Sequence, residues 1–233
     1  MDSNLLFYGV ASIFYLLAGV KIVISHKKPQ EGVPIWVIIV TALGILSHYW
    51  VLQSNIFIAK ATIQIGLGSI VSAMCFFSSL VLLFGAIYGR VSSLLGGMLI
   101  LSTLGVWFPL MLPSTAAPII GASPAFKIHM GLSIVGYSFI FMAAFEAFLA
   151  VVFGKQSEQA QQAKVEIPRI LMASFVFLSL TILTGVMSSH QYLLGVFDGV
   201  AEVTATVATW LISGLLLLVN RLKNNWIGKR RKC

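Results

Sequence analysis

Seven stretches of this chain are each long and apolar enough to cross a bilayer, and they follow one another so closely that no soluble domain fits between them. At about 1.5 Å per residue, a crossing takes roughly 17 to 25 apolar residues. Leu5 to Ser25, Pro34 to Gln53, Thr62 to Tyr88, Ser92 to Leu112, Phe126 to Lys155, Pro168 to His190 and Val200 to Asn220 meet that length. Of the 233 residues 58% are hydrophobic and only 9% charged, against about a quarter charged in soluble domains. The pattern predicts an all-α, polytopic membrane helix bundle of about seven transmembrane helices over residues 1–220, followed by a basic tail at 221–233. Asp2, rather than a basic run, precedes the first apolar stretch and no small-residue cleavage site follows it. A retained span is expected there, not a removed signal.

The placement of lysine and arginine orients the bundle, because short loops rich in them stay in the cytoplasm. If seven spans alternate, thirteen of the 15 basic residues fall on one side and only Lys60 and Lys127 on the other. The expected arrangement is N-terminus outside and C-terminus cytoplasmic. Inside, Gly154 to Glu166 reads as a polar, Gln-rich linker, and Arg221 to Cys233 is basic enough to lie on anionic headgroups. Outside, the uncharged, proline-rich loop Pro113 to Pro124 suits a short lid or irregular segment. Trp36, Trp50, Trp107 and Trp210 are expected at span ends. The net charge of +8 lies beside apolar spans, so it argues for topology rather than for nucleic acid.

Histidine within an apolar span is costly and marks a candidate site. His129 opens the fifth span, and at 100° per residue Ser133, Gly136, Ile140, Ala143 and Ala147 share its stripe. Small residues in line let helices approach, so that stripe is expected to face protein while the bulkier sides, with Phe139, Phe141, Phe145 and Phe148, face lipid. His48 shares a small, polar stripe with Thr41 and Gly44, and His190 closes the sixth span. All three belong to the outer half under the expected topology, whereas His26 lies in a basic cytoplasmic loop. Neutral imidazoles can ligate haem iron or a transition metal within a bundle; the plainer alternative is that each hydrogen-bonds a nearby carbonyl. Glu146 is the only acid inside a span; it could relay protons, pair with a cation or make a polar packing contact. Asp198 and Glu202 could add carboxylates to a metal site.

Cys75 and Cys233 form no C-x-x-C or C-x-x-C-H pattern, so no thioredoxin-like centre or covalent haem attachment is encoded. Gly66, Gly68, Ser69, Ser72, Ala73, Gly96 and Gly97 read as helix-packing positions, and no phosphate-binding or dinucleotide fingerprint occurs.

The run K-I-H-M-G-L-S-I-V-G-Y-S at Lys127 to Ser138 resembles a helix start of the membrane cytochrome c assembly family, whose members handle haem. L-S-L-T-I-L-T-G-V at Leu178 to Val186 and A-T-W-L at Ala208 to Leu211 resemble its next blocks. L-S-H at Leu46 to His48 and W-I-G-K-R-R at Trp226 to Arg231 fit its short YpjD- and HemX-type branch. The resemblance implies a non-enzymatic, haem-binding protein of a bacterial inner membrane, connected with cytochrome c maturation. Its partners would be the lipid bilayer, haem and other cytochrome c assembly or haem-biosynthesis proteins. His129 matches an external haem-flanking histidine of the longer relatives and His48 a membrane one, so His48, His129 and His190 are the candidate haem ligands, the first two as iron ligands. Where those relatives carry a tryptophan-rich haem-holding segment, this chain reads H-Q-Y-L-L-G-V-F-D at His190 to Asp198. Two further functions are a regulatory scaffold acting on haem biosynthesis through the cytoplasmic side, and a metal-ion transport accessory using Glu146, Asp198 or Glu202 with the histidines.

Overall fold

The computed structural model describes the backbone of residues 3–25, 33–59, 62–88, 93–114, 119–154, 157–192 and 199–230. Side chains are described throughout these except at 3–4, 57–59, 93, 158–159, 187–192, 199–202 and 224–230. The fold is all-α, with seven helices among the described residues long and apolar enough to cross a membrane. Its elements in order are α1 Ser3–Ser25, α2 Ile35–Ile56, β1 Phe57–Ala59, β2 Thr62–Ile63, α3 Leu67–Ile87, α4 Ser93–Gly105, α5 Phe108–Met111, β3 Ile119–Ile120, α6 Pro124–Val152, α7 Glu158–Tyr192 and α8 Gly199–Arg230. They group into two compact units, Met1–Ala122 and Ser123–Cys233.

In the first unit α1 packs on α2 and α4, and α3 packs on both α2 and α4. Lipid is as apolar as leucine, so close van der Waals approach and hydrogen bonds must hold such helices together. The glycines supply the approach. A Cβ on Gly19 would come within 3.0 Å of the Gly96 carbonyl oxygen, and one on Gly96 within 3.3 Å of the Gly19 carbonyl oxygen. Cys75 is a small buried residue whose Sγ occupies the space beside Gly105. Hydroxyls supply the bonds: Ser79 and Ser102 meet at 2.9 Å, and Trp107 Nε1 donates to Ser12 Oγ at 2.7 Å.

Four segments differ from the sequence expectation, each for a local reason. Thr62 and Ile63 pair as a strand between β1 and β3 in a three-stranded antiparallel sheet, and α3 begins five residues later than Thr62, at Leu67. The fourth span breaks after Gly105, because Pro109 has no N–H to give the Gly105 carbonyl; the chain resumes as α5. The polar segment expected as a linker is helical from Glu158, entered by a turn in which Gly154 takes φ +88° and Ser157 Oγ accepts from the Ala160 N–H at 3.1 Å. Finally, α8 runs unbroken past residue 220 to Arg230.

In the second unit α6 and α7 lie against one another along their lengths, and α7 also packs on α8. The α6–α7 contact is antiparallel: Ser174 Oγ donates to the Gly136 carbonyl at 2.9 Å, Leu178 fills the space beside Gly136, and Phe139 stacks on Phe177 at 5.6 Å. Gly136 and Ala143 of the expected stripe are buried, but so is a second row, Ile134, Ser138, Met142 and Glu146, one turn apart from one another. Trp210 was expected at a span end. It instead lies inside the Val203–Lys223 span, stacked on Phe175 at 5.2 Å and donating to Ser179 Oγ at 2.8 Å. Trp36 and Trp50 are exposed on α2.

Candidate functional site

The histidines have different surroundings. His48 lies in the first unit with Thr41 and Gly44, all three buried, as their shared stripe predicts. Its ring is fully covered and both nitrogens are engaged: Nδ1 with the Tyr15 hydroxyl at 3.2 Å and Nε2 with Ser72 Oγ at 2.8 Å. Tyr15 and Phe76 flank the ring edge-on at 5.7 and 5.6 Å between centroids. A neutral imidazole has one donor and one acceptor, and both are used here. To reach a metal, this ring must give up a hydroxyl partner.

His129 lies in the second unit, in the first turns of α6, and is half-buried. Ser123 starts the helix by accepting the Phe126 N–H on Oγ at 3.2 Å, with Pro124 in the first turn. The His129 ring reaches α7, where Nδ1 is 3.0 Å from the Thr181 carbonyl oxygen and 3.3 Å from Thr184 Oγ1. A carbonyl can only accept, so Nδ1 carries the proton and Nε2 the lone pair. Gly185 faces the ring: a Cβ there would stand 3.0 Å from Cε1. Ser133 donates back to the His129 carbonyl at 2.8 Å, and one turn beyond it Tyr137 and Thr206 of α8 share a hydrogen bond of 2.8 Å.

The His190 side chain, Asp198 and the Glu202 side chain lie outside the described residues. Among the described residues no group of three or more His, Cys, Asp or Glu side chains could hold a metal ion. Glu146 is buried at 1% exposure, a position that its stripe alone, turned about 100° from His129, does not disclose. The sequence reading also missed the hydroxyls of Tyr15 and Ser72. Their signal is present in hindsight: a tyrosine and a serine mid-span must find partners in lipid, and a buried imidazole is one.

Together these features define an integral, multi-pass membrane protein with two differently built imidazole sites. No protein-family model matches the chain, and no curated protein or solved structure is similar enough to count as a match.

Proposed function

We propose that this protein binds haem within the membrane and acts non-enzymatically in haem handling connected with cytochrome c assembly, with His129 as the axial ligand. The observation that carries the reading is the hydrogen bond from His129 Nδ1 to the Thr181 carbonyl. Ligating histidines typically hold their second nitrogen this way, which fixes the tautomer and makes the free nitrogen more basic. Gly185, bare of side chain, gives the ring its place. His48 lacks this arrangement, since both nitrogens are engaged, and its role is to tie α1, α2 and α3 together. The family resemblance of Lys127 to Ser138 points to the same helix start.

Haem added to the purified full-length protein should give the Soret band of a histidine-ligated haem. His129→Ala should abolish it or weaken binding at least about tenfold, as loss of an axial ligand does. His48→Ala should retain it. A protein that takes up no haem, or takes it up equally well as His129→Ala, overturns the reading.

A second reading has support in α8, whose helix continues to Arg230 through the basic stretch Arg221 to Arg230. Such an extension suits contact with a partner at the cytoplasmic side. Deleting Asn224 to Cys233 would separate the two functions: haem binding through His129 survives the deletion, and a partner-directed role does not.

A further inference from the structure

Two buried side-chain oxygens among the described residues have no hydrogen-bond partner, Glu146 Oε2 on α6 and Gln162 Oε1 on α7. Both belong to the same antiparallel helix pair, and its register sets them toward the same end of it. His129 lies against Thr181 and Gly185, and Gly136, seven residues on, lies against Ser174 and Leu178, seven residues back. Ten residues further along α6 is Glu146, and the same distance back along α7 is the turn Lys164 to Pro168. That turn contains Glu166, whose charge acts directly on Glu146. Gln162 is one turn from Glu166 on the same face of α7. Pro168 lies inside the helix and cannot supply an N–H to the Lys164 carbonyl.

The result is two buried oxygens, one from each helix, that no donor reaches, at a depth of about 9 Å from the end of the α6 span for Glu146. The cations among the described residues do not satisfy them. Arg169 of α7 acts on Glu166, while Lys164 on α7 and Arg221 and Lys223 on α8 are exposed. With Glu166 offset by Arg169, one carboxyl in the group remains uncompensated, a costly state in an apolar span. All-oxygen donors select hard cations over soft ones, and one uncompensated charge selects a valence of one.

We propose that Glu146, Gln162 and Glu166 form a site for one small hard monovalent cation, a proton or a sodium ion, at the end of α6 and α7 nearest Gly154. The ion bridges Glu146 Oε2 and Gln162 Oε1 and leaves toward the turn at Gly154, the short path out of the span. This site is separate from His129 and needs no haem.

The test uses the full-length protein in detergent, with two readouts: the infrared stretch of protonated carboxyls across a pH titration, and saturable binding of radioactive sodium. For a proton site, the wild type shows a titrating carboxyl band that Glu146→Gln removes and Gln162→Leu shifts, with no sodium bound. For a sodium site, the wild type binds one ion per chain, Glu146→Gln binds none, and Gln162→Leu binds about tenfold more weakly, the effect of removing one charge-assisted contact. Should Glu146→Gln fail to fold by circular dichroism, Gln162→Leu decides alone. If it matches the wild type in both readouts, or if the wild type shows neither a band sensitive to these residues nor sodium binding, the proposal is overturned.

Discussion

Two histidines of one chain, each touching hydroxyls, end in different chemistry because of what their nitrogens meet. At His48 the partners are the Tyr15 and Ser72 side chains, which occupy both nitrogens. At His129 the partners gather on Nδ1 alone. The same substitution should therefore have opposite consequences. His48→Ala removes two buried hydrogen bonds and opens a cavity, and should lower the stability of the first unit by about 2–4 kcal/mol, read as a fall in the thermal unfolding midpoint in detergent. His129→Ala, at a half-buried ring, should cost less than about 1.5 kcal/mol of stability, while under the proposed function it removes haem binding. Gly68→Ala is a third case. A Cβ there would run into the backbone carbonyls of Phe108 and Leu112, which no rotamer change can relieve. A loss of about 1–3 kcal/mol is expected, with Gly9→Ala, where nothing lies within 4 Å, as the neutral control by the same unfolding assay.

At the level of elements, Trp210 ties α8 to α7 by both a stack and a hydrogen bond. Its ring stacks on Phe175 and its N–H meets Ser179, while Gly214 lets the Phe175 ring approach. Trp210→Phe should keep the stack and lose about 0.5–1 kcal/mol; Trp210→Ala should lose about 1–3 kcal/mol. A disulfide cross-link between cysteines introduced on α7 and α8 should form more slowly in the second variant only. The existence of these helices was legible in the sequence, since a run such as Ile35 to Ile56 can be little else in lipid. Their ends were not. Apolar composition continues through Thr62 and Ile63 although they form a strand, and polar composition from Glu158 hid a helix that Ser157 caps. The His48 stripe was legible because its neighbours are small. Glu146 was legible as the only acid inside a span, but the buried row it belongs to was not, because α6 is buried along two rows rather than one, and periodicity finds a single face more readily than two adjacent ones.

For the whole molecule, an odd number of crossings places the two ends of the chain on opposite sides, and the basic residues decide which is which. Short loops rich in lysine and arginine stay in the cytoplasm, so an arrangement that puts thirteen of the 15 basic residues outside is disfavoured. The loop between α5 and β3 should then face outward and the turn between α6 and α7 inward. Cys75 is buried, so a Cys233→Ser background should be silent to a membrane-impermeant maleimide. On it, Ala116→Cys should label in intact cells, and Gln156→Cys only after the membrane is opened. The reverse pattern would place His129, at the start of α6, toward the cytoplasmic side. Labelling of both positions from the same side would mean that α6 does not cross, and the register that sets Glu146 and Gln162 toward one end would then describe a helix pair lying in the membrane rather than through it.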